Sequence, residues 1–117
     1  MYSLKVILLE GCYYCIELKK ILDEKFIESN VIEYTNVTYE EKEQYKNNEI
    51  KTFPQVYLVN DKQKYLIGGY DIMKQIIDII DIENHKKIIK KLKNILDNWP
   101  DRIKLQLILL LKNVMKK

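Results

Sequence analysis

Two cysteines three residues apart are the side chains of this sequence best suited to chemistry. They are the only cysteines among its 117 residues, and they stand in the run Cys12-Tyr13-Tyr14-Cys15. A structural zinc site needs four ligands, and His85 is the one further candidate that the chain offers. Free cysteines are also often buried as small apolar side chains. An apolar segment and a glycine directly precede this pair, and that context favours redox chemistry over both alternatives.

The spacing of the two thiols predicts different roles for them. Cys12, at the start of a predicted helix, would face unpaired backbone N–H groups and the positive end of the helix dipole, which stabilise a thiolate. The thiolate is the attacking species in disulfide exchange. Cys15 would lie on the same face of the helix, one turn deeper and shielded from outside attack. The pattern therefore predicts that Cys12 attacks and that Cys15 resolves.

The elements that position these thiols follow from the pattern of apolar residues. The continuous run Lys5–Leu9 is typical of a strand buried on both faces, and it should pair in parallel with the next strand through a right-handed helical crossover. The full pattern predicts a strand over 5–9, a helix over 12–25, a strand over 31–37, a short exposed helix over 40–48, a β-hairpin over 54–67 with its turn at 60–62, and a helix over 71–82.

Two further motifs lie at the borders of these elements. Thr52-Phe53-Pro54 precedes the first strand of the hairpin. Its proline is either an ordinary strand-start residue or a cis proline that leaves the Phe53 backbone free to pair with an extended peptide. Gly68-Gly69-Tyr70-Asp71 joins a strand to a helix. It is either a plain turn or a helix N-terminus that binds a carboxylate, with Asp71 capping the helix or accepting a ligand ammonium.

Taken together, the three motifs resemble those of the glutaredoxin family. The resemblance covers residues 4 to about 82, and it implies an α/β, thioredoxin-like fold with a four-stranded mixed sheet flanked by helices. It also implies a cytoplasmic enzyme that uses glutathione to reduce protein disulfides or glutathione mixed disulfides, so that glutathione and disulfide-containing proteins are its expected partners.

The resemblance implies roles for individual residues. Cys12 would be the nucleophile, Cys15 the resolving thiol, and Tyr14 the aromatic residue beside the sulfur. Pro54 would be cis, and the main chain of Phe53 would pair with the cysteine of glutathione. The expected glutathione-binding residues are Tyr14, Lys51, Thr52, Phe53, Pro54, Gly69, Tyr70 and Asp71.

Three departures from the family pattern bear on function. Tyr13 replaces a proline that is thought to disfavour iron–sulfur clusters, so a second function stays open: a [2Fe–2S] protein, with Cys12 of two chains and two glutathiones as ligands. Leu9 replaces a basic residue that would bind the glycine carboxylate of glutathione, and Lys51 is the expected substitute. The segments 52–55 and 71–72 are closer to the monothiol branch of the family, which handles such clusters.

Residues 83–117 lie outside the resemblance and differ in charge from the rest. Residues 1–82 hold 10 lysines and 14 acidic residues, a net charge of −4, whereas residues 83–117 hold 10 basic and 3 acidic residues, a net charge of +7. The expected organisation is thus a redox domain over 1–82 and a basic helical extension over 83–117. A solvated helix face explains the lysines better than nucleic-acid binding does, because no aromatic residues are interleaved with them.

The pattern of the extension predicts two helices. One runs from about Ile88 to Trp99 and is stopped by Pro100, and the other runs from Asp101, as its N-cap, to about Met115. The second helix is apolar on more than one side, so it should pack on the preceding helix or form a homodimer.

The overall composition narrows the class of protein. With 47% hydrophobic and 32% charged residues, the chain can form a folded core. Its longest apolar run, Leu107–Leu111, is far shorter than the about 20 residues of a membrane span. The first residues lack a signal-peptide pattern, which favours a soluble, intracellular protein.

Overall fold

A four-stranded sheet forms the centre of the molecule. The computed structural model describes residues 1–116, and its strands are β1 (Ser3–Leu9), β2 (Ile32–Val37), β3 (Gln55–Val59) and β4 (Lys64–Gly68). Their order across the sheet is β2-β1-β3-β4; β1 is parallel to β2 and antiparallel to β3, and β4 is antiparallel to β3. The mixed sheet is the one predicted, and β1 carries a continuous apolar run, Val6–Leu9, because it is a central strand covered on both faces.

Helix α1 (Tyr13–Lys25) provides the crossover between β1 and β2. Its inward stripe consists of Cys15, Leu18 and Leu22, all buried, as the helical spacing predicts. Cys12 is the N-cap of this helix, so the reactive motif stands where strand β1 passes into the helix.

Between β2 and β3 the chain forms a 3₁₀ helix over Tyr39–Tyr45, in place of the short helix predicted over 40–48. A capping box between Thr38 and Glu41 begins it. The β3–β4 hairpin turns where predicted, and the side chain of Asn60 accepts hydrogen bonds from the backbone N–H groups of Lys62 and Gln63.

Helix α2 (Tyr70–Ile82) follows the hairpin and turns an apolar face toward the sheet. The helical spacing predicts an inner face of Ile72, Met73, Ile76, Ile77 and Ile80; all of these are fully buried except Ile72, which is half-buried.

Two helices complete the chain, α3 (His85–Ile95) and α4 (Asp101–Val114). The prediction that the first continues to Trp99 was wrong, because the helix ends at Ile95 and the Trp99 ring instead contacts that of Tyr65, at 5.4 Å between centroids. The predicted N-cap role of Asp101 was also wrong. Pro100 is the N-cap, and Asp101 is the first helical residue, where its carboxylate lies near the positive end of the helix dipole.

The apolar faces of α3 and α4 join the core formed by α1, α2 and the sheet. The C-terminal end is also tied to the end of α1: Ile27 N–H donates to the Val114 carbonyl and Lys116 N–H to the Lys25 carbonyl, each at 2.8 Å. The same chain thus covers most of the apolar surface of α4. Within residues 1–116, no helix has the length and apolar character needed to cross a membrane.

Candidate active site

Cys12 lies at the point where β1 ends and α1 begins. Gly11 has φ of +70°, a conformation that glycine adopts without strain and that lets the chain turn into the helix. The Cys12 side chain is half-buried, and its Sγ accepts a hydrogen bond from the N–H of Cys15 at 3.2 Å. One of the unpaired N–H groups of the first helical turn is therefore directed at the sulfur, as the motif predicts.

Cys15 occupies the opposite environment. It is only 2% exposed, and its Sγ accepts a hydrogen bond from the N–H of Leu9 at 3.4 Å. Burial, followed by its hydrogen bond with Cys12, raises the pKa of the Cys15 thiol to about 12, although the Leu9 N–H acts in the other direction. Cys15 is therefore a neutral, shielded thiol at neutral pH, next to the accessible Cys12.

The loop before β3 brings a backbone carbonyl to the thiol. The Phe53–Pro54 peptide bond is cis, as the family resemblance implies. The carbonyl oxygen of Phe53 lies 3.7 Å from Cys12 Sγ, which can donate its proton to that oxygen. Residues 41 positions apart in sequence thus meet at the candidate site.

The Gly68-Gly69 turn brings the start of α2 to the same place. Gly68 has φ of +146°, a backbone conformation that strains any residue with a side chain. A Cβ at this position would also lie only 3.0 Å from the Cβ of Ile72. Gly69 is the N-cap of α2 and provides no side-chain cap. Asp71 does not cap the helix and lies in its first turn. The capping role considered for Asp71 is therefore not observed, and its contact with a ligand stays a prediction.

These segments enclose a groove of about 360 Å³. The rings of Tyr14 and Tyr70 stand 5.1 Å apart across part of it, and the Tyr13 ring contacts Tyr14 edge-on from outside. Seven residues line the groove: Tyr14, Thr52, Phe53, Gly69, Tyr70, Asp71 and Ile72.

The lining unites most of the residues expected to bind glutathione, with two exceptions. Lys51 is exposed and lies outside the lining, next to Thr52 in the chain. Pro54 is buried, and it too lies outside the lining. Ile72 lines the groove although its chemistry does not suggest it; its position beside Asp71 in the first turn of α2 is the signal that could have identified it.

A larger cavity, of about 500 Å³, lies between α1 and the end of β2. It borders Cys15, with aliphatic side chains from Leu8, Leu9 and Ile16 among its lining. Since Cys15 is buried and neutral, we assign the candidate active site to the smaller groove, whose wall at Phe53 contacts the accessible Cys12.

Comparison with known proteins identifies relatives along most of the chain. It is 34% identical over 96 residues to Glutaredoxin 1 of Rickettsia conorii, a match covering 80% of this chain and 84% of the relative. It is 33% identical over 95 residues to Glutaredoxin 1 of Rickettsia felis, covering 80% and 83% respectively. No family model matches the chain.

The crystal structure of Glutaredoxin 1 from Francisella tularensis, complexed with cacodylate, is similar to this fold. The TM-score is 0.50 at 24% sequence identity, and the match covers 68% of this chain and 96% of that one. This likeness confirms the predicted fold class, a thioredoxin-like mixed sheet flanked by helices.

Proposed function

Since the chain belongs to the glutaredoxin family of thiol–disulfide oxidoreductases, we propose that its reaction depends on glutathione and uses Cys12 as nucleophile and Cys15 as resolving thiol. One observation carries the proposal. The sulfur of the accessible Cys12 accepts a hydrogen bond from the Cys15 N–H at the start of α1, beside a groove that Thr52, Phe53 and the Gly69–Asp71 segment help to form. We further expect the protein in the cytoplasm, where glutathione keeps thiols reduced.

The simpler reaction needs Cys12 alone. Its thiolate attacks the glutathione sulfur of a mixed disulfide, which forms a Cys12–glutathione disulfide and releases the substrate thiolate, which takes up a proton. The thiolate of a second glutathione then attacks that disulfide, and glutathione disulfide leaves. The overall reaction converts one mixed disulfide and one free glutathione into the substrate thiol and one glutathione disulfide, and Cys12 is regenerated.

The second reaction reduces a protein disulfide and needs both cysteines. Cys12 attacks one substrate sulfur, and Cys15, once deprotonated, attacks Cys12 Sγ to release the reduced substrate as a dithiol. This leaves a Cys12–Cys15 disulfide, which two glutathione molecules reduce while forming glutathione disulfide. The high pKa of Cys15 keeps it from competing with Cys12 as the first attacking group.

The groove offers groups that complement the γ-glutamyl end of glutathione and its central cysteine. The first turn of α2, at Tyr70 and Asp71, presents N–H groups for the γ-glutamyl carboxylate, and the Asp71 carboxylate suits the ammonium beside it. The Phe53 backbone suits the cysteine of the tripeptide, since it adjoins Cys12 Sγ. Tyr14 and Thr52 complete the walls.

Lys51 is the proposed partner of the glycine carboxylate of glutathione. It is exposed and directly precedes Thr52, a residue of the groove lining, and Leu9 stands where the family usually has a basic residue. We expect Lys51→Gln to raise KM for glutathione by about threefold, because an exposed ion pair contributes at most about 1 kcal/mol. Lys62→Gln, in the exposed hairpin turn, is the control, and an equal change in both variants would exclude Lys51 from the site.

Steady-state turnover tests the proposed function. The substrate is a peptide–glutathione mixed disulfide, and glutathione disulfide formation is followed as the glutathione concentration is varied. We expect saturable turnover that requires glutathione. If dithiothreitol supported turnover and glutathione did not, the chain would still be a thiol oxidoreductase, but its proposed dependence on glutathione would be wrong.

The alternative function, binding of a [2Fe–2S] cluster, requires more than one chain. Such a cluster takes four sulfur ligands, and of the two thiols here only Cys12 is accessible. Within residues 1–116 no group of three or more His, Cys, Asp or Glu side chains is placed to hold a metal ion. Two chains and two glutathiones would therefore be needed, and a brown protein with visible absorbance after anaerobic purification would favour this function.

Self-association through the C-terminal helices is the last part of the proposal. Leu105 and Leu109 lie one turn apart on α4 and remain exposed, and Leu109 lines a surface pocket together with Met1. Their apolar surface would be covered in a homodimer. We expect a concentration-dependent dimer in sedimentation that Leu109→Lys weakens, whereas the control Arg102→Gln, at an exposed position of the same helix, leaves it intact. A monomer at all concentrations would contradict this.

A further inference from the structure

A buried side-chain amide connects the loop before β3 to the sheet. Gln55 is 1% exposed, and its Nε2 donates to the carbonyl oxygen of Tyr45 at 2.9 Å. Its Oε1 accepts a hydrogen bond from the hydroxyl of Tyr57 at 3.1 Å. Because this amide is buried, the loss of either bond would leave a polar group unpaired, so the arrangement resists displacement.

Asn47 extends these hydrogen bonds into the loop. Its Nδ2 donates to the Tyr57 hydroxyl at 3.4 Å, while its Oδ1 accepts from the N–H groups of Glu49 and Ile50, at 2.8 and 3.0 Å. These hydrogen bonds form one network that binds the loop to strand β3. We call it the Gln55 network; it consists of the side chains of Asn47, Gln55 and Tyr57 and the backbone carbonyl of Tyr45.

The network surrounds a segment that has no regular structure of its own. Residues 46–54 contain neither helix nor strand, and within them lie Thr52 and Phe53, which form one wall of the groove. The network holds this wall on both sides, through Ile50 before it and Gln55 after it. Phe53 and Ile50 also pack against the small apolar cluster that contains Tyr57.

We propose that Gln55 and Tyr57 are positioning residues that hold the Phe53 backbone beside Cys12 for glutathione binding, an inference that rests on the function proposed above. The Phe53 carbonyl lies 3.7 Å from Cys12 Sγ, so a small shift of the loop changes the geometry of the site. Neither Gln55 nor Tyr57 lines the groove, and both act through the loop.

Two substitutions remove the network, and a third serves as a matched control. Gln55→Leu removes the amide at similar volume, whereas Tyr57→Phe removes only the hydroxyl and leaves the ring in the apolar cluster. Tyr65→Phe is the control: Tyr65 lies on the adjacent strand β4, opposite Leu58, and its ring contacts Trp99 outside the network. All variants are made in the full chain.

We expect KM for glutathione to rise by about threefold to tenfold in Gln55→Leu and Tyr57→Phe, which corresponds to the loss of one net hydrogen bond. The value of kcat and the rate of Cys12 alkylation by iodoacetamide should stay close to wild type, because the thiol itself is untouched. Tyr65→Phe should leave all of these unchanged. An unchanged KM in Tyr57→Phe, or an equal rise in Tyr65→Phe, would overturn the proposal.

Amide hydrogen exchange separates this inference from the proposed function. If the network holds the loop, exchange in residues 46–53 should accelerate in Tyr57→Phe but not in Tyr65→Phe. If the wild-type protein showed no turnover with glutathione, the proposed function would fail, and the exchange rates alone would decide the role of the network. Equal loop exchange in Tyr57→Phe and wild type would contradict the positioning role of the network. This comparison does not require Gln55→Leu to fold.

Discussion

The active-site end of the molecule exposes large aromatic side chains, whereas the C-terminal extension buries most of its large apolar side chains and leaves Leu105 and Leu109 exposed. Beside Cys12, the rings of Tyr13 and Tyr14 are 66% and 54% exposed. In the extension, residues 83–116, the apolar residues at the core-facing positions are almost all fully buried, including Ile88, Leu92 and Leu107. Exposed apolar surface at the thiol is available to a substrate, whereas the buried surface of the extension contributes to folding.

Helix α1 connects these two regions. Its first turn presents the N–H that reaches Cys12 Sγ, and its last turn is bound by Val114 and Lys116 of the extension. An ion pair between Lys25 and Asp81 also ties the end of α1 to α2. This comparison predicts that substitutions near the thiols change catalysis with little effect on stability. Substitutions in the extension should change stability with little effect on catalysis.

The largest expected effect is the loss of activity in Cys12→Ser. A serine hydroxyl cannot form the mixed disulfide, so both reactions should stop, while the melting temperature stays within a few degrees of wild type because Cys12 is half-exposed. Cys15→Ser is the matched variant. It should retain reduction of glutathione mixed disulfides and lose reduction of protein disulfides, and equal loss of both activities in both variants would contradict the assigned roles.

A large effect on stability is expected from removing the extension after Asn84. Each fully buried Leu or Ile of the extension contributes about 1.5–3 kcal/mol to folding, and this gain is partly offset by the conformational entropy that the same residues lose when they fold. We expect the shortened chain to remain folded and active but to melt at a clearly lower temperature, and any dimer to be weakened. Melting temperature, sedimentation and turnover of the two lengths are the measurements.

A point substitution tests the same idea without removing helices. Leu107 is fully buried on α4, and Leu107→Ala should cost about 2–5 kcal/mol of the free energy of unfolding while turnover at low temperature persists.

An unfolded truncation product would mean that residues 83–117 are part of the folding unit of residues 1–82. A loss of turnover in folded Leu107→Ala would break the separation between the two regions.

The sequence predicts the sheet, the helices around it and most of the groove, because these depend on local pattern. Continuous apolar residues identify β1, and helical spacing identifies the buried faces of α1 and α2. The redox interpretation of the cysteine motif places Cys12 at the start of a helix, and the structure has it as the N-cap of α1.

The features that the sequence does not predict depend on distant contacts. Trp99 fits the helical spacing of α3 but leaves the helix to contact Tyr65, on a strand more than thirty residues earlier. The Asp101 error has a local cause: Pro100 takes the N-cap position, with φ of −59°, and moves the start of the helix by one residue. The Gln55 network was missed because Gln, Tyr and Asn carry no pattern until the loop folds back on β3.

A moderate effect is expected for Asp71, whose carboxylate lines the groove at the start of α2. Loss of one charge-assisted hydrogen bond, about 1.5–3 kcal/mol, should weaken glutathione binding about tenfold or more in Asp71→Ala. The rate of Cys12 alkylation by a small reagent should stay nearly unchanged. Asp61→Ala, in the exposed hairpin turn, is the control, and an unchanged affinity in Asp71→Ala would limit Asp71 to its interaction with the helix dipole.

The smallest expected effect concerns the pH dependence of stability and distinguishes the buried thiol from the exposed one. Burial raises the pKa of Cys15 from 9.0 to about 12, so the folded chain holds this proton more tightly than the unfolded chain does. The resulting stability is fully present below about pH 9 and is lost as the pH rises toward 12. Free energies of unfolding measured under reducing conditions at pH 8 and pH 10.5 should therefore fall more steeply for the wild type than for Cys15→Ser, which lacks the titrating thiol, while lysines and tyrosines titrate equally in both chains. An equal fall in the free energy of unfolding in both chains would mean that the Cys15 thiol is no better shielded than a thiol in water. The two cysteines would then differ only in their positions on the helix.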